Sequence, residues 1–215
     1  AVSDNHELLS KISVERIRDE FVKMGIAPGS QKAFQIFLDT GLSEEVPGFK
    51  GKKENLALYP QLNFSPTNEA NLWALMIILL KLPNDKIPHF MRMWKNSNAM
   101  ERQVADIVAF FDLISSHAPN NYDLYKAGLE TIVSTIDLAH ILGQPVNGSA
   151  LVDSYEALPI KNNRDLVIDG HFLLKNGIPA GPRVGLLLEE IKKAVLEGVI
   201  SNNKAAITEF ISLNH

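Results

Sequence analysis

The chain has 215 residues, no cysteine, 46% hydrophobic and 21% charged side chains, and a formal charge of −4 from 21 Lys and Arg against 25 Asp and Glu. That composition describes one or two globular domains with enough apolar material for a core, not a disordered chain. The lack of thiols excludes disulfide frameworks, iron–sulfur clusters, cysteine-based zinc fingers and thiol nucleophiles.

The first segment, Ala1 to Lys11, is polar and lacks a basic stretch followed by an apolar one. The longest apolar run, Leu72 to Leu80, falls far short of the roughly 20 residues that span a bilayer. A soluble, cytoplasmic chain with no membrane partner is expected. Because the charge balance is slightly acidic, nucleic-acid binding has to come from local basic patches. The first residue is not Met, which fits a truncated chain.

Helical periodicity dominates from there on. Ser13 is expected to cap a helix carrying Val14, Ile17, Phe21 and Met24 on one stripe, with Glu15 in its first turn and Gly25 ending it. Ser30 opens a second helix with Ala33, Phe34, Phe37 and Leu38 on one face, stopping at Thr40-Gly41. Residues 43–65, rich in Gly, Pro and Lys, read as loop or short helical turns. Ser65-Pro66 reads as a cap with proline in the first turn. The helix that follows, through Leu72–Leu80, is apolar on every side and is the predicted central core element. Asn98 to Glu101 resembles a capping box before a stripe at Val104, Ile107, Val108, Phe111 and Ile114. A further helix runs from Asn121 to Leu142 and stops at Gly143-Gln144-Pro145. In the last third, 176–182 is a rigid turn, and Pro182 begins a helix that Gly198 terminates. No run alternates convincingly with a hairpin turn between, so the fold class is all-α: a multi-helix array with a small helical subdomain from about residue 145.

Candidate chemistry is sparse. The histidines, His6, His89, His117, His140, His171 and His215, lack the spacing of a helical metal site, and no metal is expected. No phosphate-binding glycine loop or nucleophile elbow occurs. Two features point to phosphate. Between Lys81 and Arg102 stand five bases, Lys81, Lys86, Arg92, Lys95 and Arg102, against two acids, Asp85 and Glu101. Such a run suits an RNA backbone, and it also suits a solvated helix face. The turn before Pro182 presents a helix start with Arg183 beside it, where a phosphate could sit. Lys50, Lys52 and Lys53 form a weaker basic cluster.

Two segments carry a resemblance. The run Ile12-Ser-Val-Glu-Arg-Ile-Arg-Asp-Glu-Phe-Val-Lys23 is similar to the I-S-x-E-R-I-x-x-E-[LF]-x-K motif of bacterial class II CCA-adding tRNA nucleotidyltransferases. Leu158-Pro-Ile-Lys-Asn-Asn-Arg-Asp-Leu166, Gly170-His171, Gly177-Ile-Pro-Ala-Gly-Pro-Arg-Val-Gly185, Ala194 to Gly198 and Asn202 resemble, in order and spacing, the tail of the same family. The resemblance covers roughly residues 7 to 210.

That resemblance implies an end-of-neck region at 1–45, an RNA-binding body at 46–145 and a tail at 146–215 that holds the tRNA elbow. It implies tRNA and the chain's own N-terminal catalytic head as partners, and leaves a homodimer open. The head's G-G-x-x-R-D loop and paired aspartates, and the neck's D-x-x-R motif, are absent from this sequence. No cofactor is therefore expected in this chain, with Mg and CTP or ATP implied for the full-length enzyme. The chain alone is expected to be inactive, since nucleotide transfer needs two metal ions held by adjacent carboxylates. Glu44-Glu45 and Glu189-Glu190 read as solvated pairs.

Lys81, Arg92, Lys95 and Arg102 are proposed for the acceptor stem on charge, and Lys161, Arg164, Lys175 and Arg183 for the elbow from the tail motif. Ser13, Glu15, Arg16 and Glu20 would brace the neck. Asn162-Asn163 stand where the family often has Ser-Arg. The rival readings are the RNA-binding portion of a poly(A) polymerase-like protein, and a free-standing helical module that binds a protein.

Overall fold

The computed structural model describes residues 12–214, which leaves His6 and His215 outside it. Among the described residues there are eleven α-helices and no strand, as the periodicity predicts. They form two compact units, residues 12–116 with 130–148, and 117–129 with 149–214.

In the first unit, α1 (Val14–Ile26), α2 (Ser30–Asp39), α3 (Lys53–Leu56), α4 (Glu69–Leu79), α5 (Ile87–Met93) and α6 (Asn98–Ser116) are joined by the later part of α7 (Asn121–Ile141). Helix α4 is the core element. Residues Ala70 to Ile77 and Leu79 are all buried, so it has no solvent face, and α1, α3 and α6 pack around it. Phe21, Phe34, Phe37, Phe49, Trp73 and Trp94 meet with ring centroids 4.9–6.3 Å apart, mostly tilted or edge-on. Those are the favoured orientations for aromatic pairs. Trp73 also donates its indole N–H to Glu69 Oε1 at 3.0 Å, one helical turn back.

Several helix ends differ from expectation. Gly25 does not stop α1. It lies inside the helix, where a Cβ would stand 2.6 Å from both Leu72 methyl carbons, so its smallness allows α1 to approach α4. Ser13 occupies the position before α1, with its hydroxyl making no capping bond. Ser30 is the first residue of α2, behind Gly29. Its hydroxyl turns inward to Tyr59 and Ser65, both at 2.9 Å. Ser65 therefore does not cap α4; Asn68 does, its Oδ1 accepting the Asn71 N–H at 2.9 Å. At α6 the cap is Ser97, not Asn98, its Oγ accepting the Met100 N–H at 3.1 Å. Helix α7 bends at Gly128 (φ 74°, ψ 160°), a conformation open to glycine and strained for other residues.

The second unit contains residues 121–129 of α7, most of α8 (Gly148–Glu156), α9 (Gly170–Lys175), α10 (Pro182–Leu196) and α11 (Lys204–Asn214). Its core comprises Leu124, Tyr155, Leu158, Ile160, Leu166, Ile168, Leu173, Leu187, Ile191, Val195 and Ile207. Pro182 opens α10 and Gly198 follows its end, as predicted. No described helix is long and apolar enough to cross a membrane.

Candidate nucleic-acid interface

In the first unit Lys81, Arg92, Lys95 and Arg102 are all exposed. Lys81 and Lys95 share a backbone feature. Each follows the last turn of a helix, α4 and α5 respectively, with φ of 52° and 55°. Around Lys81 the Leu82 N–H reaches Ile77 O at 3.1 Å and the Lys81 N–H reaches Ile78 O at 3.0 Å. Around Lys95 the Asn96 N–H reaches Met91 O at 3.1 Å and the Lys95 N–H reaches Arg92 O at 3.0 Å. This is the helix-ending motif in which glycine usually takes the left-handed position. Lysine there sacrifices stability, and in both places it leaves an exposed cation at a helix end. The Lys95 carbonyl is tied down by Arg18 Nη1 at 2.7 Å. Lys86 pairs with Asp85 at 3.4 Å.

The tail motif folds as a set of interlocked caps. Asn162 accepts the Arg164 N–H at 2.9 Å, while Asp165 Oδ2 accepts the N–H groups of Lys161 at 2.8 Å and Asn162 at 3.1 Å. These bonds hold the Asp165 carboxyl below its ordinary value, the Lys161 N–H contributing most. Asn162 thus performs the capping task that a serine performs equally well. Asn163 accepts a hydrogen bond from the Tyr125 hydroxyl at 2.9 Å. From the far end of the unit, Asn202 accepts the Val167 N–H at 3.1 Å and donates to the Asp165 carbonyl at 2.7 Å. That clamp fixes the start of α11 against the 165–167 segment.

The consequence is a cleft of about 540 Å³ lined by Asn163, Arg164, Leu166, Val167, Ile168, Asp169, His171, Phe172, Lys175 and Lys204. It brings together Arg164 and Lys175, two of the four tail residues proposed from sequence. Lys161 and Arg183 do not line it. Lys161 pairs with Glu156 and lies over the Tyr155 ring, while Arg183 is exposed in the first turn of α10. His171 and Lys204 were not singled out from sequence, although both stand inside or beside the tail motif, His171 directly after Gly170 and Lys204 two residues past Asn202. Lys192 is spent structurally: its side chain is 7% exposed, bonded to Glu189 at 2.6 Å and placed over the Tyr125 ring. Glu189, held below its ordinary value chiefly by that lysine, also accepts from the Tyr122 hydroxyl at 3.3 Å.

On α1, Arg16 and Glu20 line an apolar cleft of about 460 Å³ with Ile17, Phe21, Phe37, Leu42 and Val46. Glu20 pairs with Lys23 at 2.8 Å, and Glu15 is exposed in the first turn. Glu44 accepts the Gly51 N–H at 2.8 Å, a loop-bracing role. Among the described residues no three His, Asp or Glu side chains gather to hold a metal ion.

Residues 64–211 match the family model described as tRNA nucleotidyltransferase domain 2, putative. Residues 1–52 match the one described as probable RNA and SrmB-binding site of polymerase A. The chain is 98% identical over its full length to the CCA-adding enzyme of Lactobacillus johnsonii and 92% identical to that of Lactobacillus gasseri, covering 54% of each. It superposes with a TM-score of 0.91 and 30% identity on the crystal structure of the Bacillus stearothermophilus CCA-adding enzyme in complex with CTP. That match takes in 99% of this chain and 55% of the other. The chain thus spans about half the length of the curated relatives it matches.

Proposed function

The chain belongs to the CCA-adding enzyme family of tRNA nucleotidyltransferases, and we propose on that premise that it is the tRNA-holding portion of such an enzyme, positioning the tRNA 3' end for CTP- and ATP-dependent addition by an N-terminal catalytic head. In this reading residues 1–45 end the neck, 46–145 form the body and 146–215 the tail. The observation that carries it is the match of 64–211 to the family's second domain, across a chain whose body and tail both present exposed cations. Lys81, Arg92, Lys95 and Arg102 meet the acceptor stem. Lys161, Arg164, Lys175 and Arg183 serve the elbow, and Ser13, Glu15, Arg16 and Glu20 brace the neck.

Cations on phosphates supply affinity without reading sequence, and double-stranded RNA is recognised mainly by shape and backbone. That suits a chain that holds tRNA by its backbone. Mg and the nucleotide belong to the head in this reading, and the chain's partners are tRNA and that head. Homodimer formation is read from the mass in solution by light scattering.

The test has two arms. Binding of deacylated tRNA is measured across a salt series, and CTP incorporation by the chain alone is assayed beside it. The reading predicts binding that falls steeply with salt, with no incorporation. Incorporation by the isolated chain, or binding indifferent to salt, contradicts it.

A further inference from the structure

We propose that Asn176 is a site of self-modification, its side-chain amide converted to a carboxylate by ring closure onto the backbone nitrogen of Gly177. The proposal goes beyond the tRNA-holding reading and does not depend on it.

The pair Asn-Gly occurs twice in the sequence, at Asn147-Gly148 and Asn176-Gly177. In such a pair the glycine nitrogen is not shielded by a Cβ. Once hydroxide removes its proton, that nitrogen attacks the asparagine Cγ. The new N–C bond closes a five-membered succinimide, the Cγ–Nδ2 bond breaks, and the departing nitrogen takes a proton from water to leave as ammonia. Water then adds to either ring carbonyl and opens the ring, giving aspartate or isoaspartate. Water is the only co-reactant, and nothing is oxidised or reduced.

The structure separates the two pairs. Closure adds a carbonyl carbon to the glycine nitrogen, so it needs room around that glycine. At Gly148, the first residue of α8, the room is taken: a Cβ there would stand 2.7 Å from Ile136 Cγ2. At Gly177, which holds φ of 86°, nothing beyond the chain neighbours lies within 4 Å of the same position. Asn176 and Gly177 are both exposed.

Asn176 is held by the last turn of α9. Its Nδ2 donates to Phe172 O at 2.8 Å, the Gly177 N–H to Leu174 O at 3.2 Å and the Ile178 N–H to Leu173 O at 3.1 Å. Both reacting groups are thus engaged while the turn is closed. Helix α9 has only six residues, and helices that short have little stability of their own. Opening of the final turn frees the amide and the glycine nitrogen together, so the conversion follows that opening. The product then resists closing. Aspartate has no proton to give Phe172 O, and its charge stands at the negative end of the helix dipole. Isoaspartate adds a carbon to the main chain, which takes Gly177 and Ile178 out of register with their acceptors. Either product places a negative charge beside Lys175.

The test incubates the full chain in oxygen-18 water at mildly alkaline pH, digests it in ordinary water and maps it by mass spectrometry, beside a free Leu-Lys-Asn-Gly-Ile peptide. Asn176 should take up the heavy oxygen as a mixture of aspartate and isoaspartate, faster at higher pH and more slowly than the peptide, while Asn147 keeps its amide. Asp169→Ala removes the cap at the start of α9 and should speed the loss at Asn176 about fivefold, leaving Asn147 unchanged. Asn176→Gln, which could close only a six-membered ring, should take up no label there. An amide retained at Asn176 in both the parent and Asp169→Ala after the peptide has converted, or equal loss at Asn147 and Asn176, would overturn the assignment. A rate at Asn176 unmoved by Asp169→Ala, or moved equally with that at Asn147, would overturn the gating by α9.

Discussion

On the proposed reading, Lys81 and Lys95 each trade stability for an exposed cation at a helix end. An L-residue with a side chain in the left-handed region costs about 1 kcal/mol or more relative to glycine. Both positions nevertheless carry lysine at φ of 52° and 55°. Lys81→Gly is therefore expected to stabilise the chain by about 1 kcal/mol while lowering tRNA affinity and the salt slope by about 1. Denaturant midpoints and a salt-series binding curve read the two effects separately, and a variant with unchanged binding would remove Lys81 from the interface.

Tyr59 offers a residue-scale test of the core. Its buried hydroxyl donates to the Gly25 carbonyl at 2.8 Å and meets Ser30 Oγ at 2.9 Å, and burial pushes its pKa up to about 12. The folded state thus keeps a proton that the unfolded state loses above about pH 10, so stability falls as pH rises from 10 toward 12. Tyr59→Phe should cost about 1–3 kcal/mol at neutral pH by orphaning the carbonyl, and should remove this alkaline component. Urea midpoints at neutral and alkaline pH check both; an equal alkaline loss in the variant would contradict the assignment.

At the scale of elements, the sequence made the helices legible and their ends less so. The all-apolar stretch around Leu72–Leu80 could only be a buried helix, and α4 is one. Caps were harder because several candidates stand within three residues of one another. Ser65 and Asn68 both qualify chemically, and tertiary bonding to Ser30 and Gln31 removes Ser65 from the contest. Gly25 reads locally as a stop because its actual reason, the approach of Leu72, lies 47 positions away. Asn202 belongs to the same long-range class. Asn202→Ala removes two bonds to the 165–167 segment and should cost about 1–2 kcal/mol, with faster amide exchange at Val167. Unaltered exchange there would mean that the clamp does not hold the segment in solution.

For the whole molecule, function was legible only where motif spacing met the family's pattern. Arg164 and Lys175 could be picked out within the tail motif, whereas Lys204 joins them through the return of α11 to the 163–169 segment. No local pattern encodes that return except Asn202. The basic run from Lys81 to Arg102 was visible as composition, and its cations Lys81, Arg92, Lys95 and Arg102 stand exposed on the first unit. On the proposed reading, body and tail each hold tRNA through its phosphates. The most direct measurement compares affinities for deacylated tRNA and for a minihelix lacking the elbow, each across a salt series. Tight tRNA binding with a steep salt slope is expected, with weaker minihelix binding and a shallower slope because the cations proposed for the elbow lose their phosphates. Equal affinities and equal slopes for the two RNAs would contradict it.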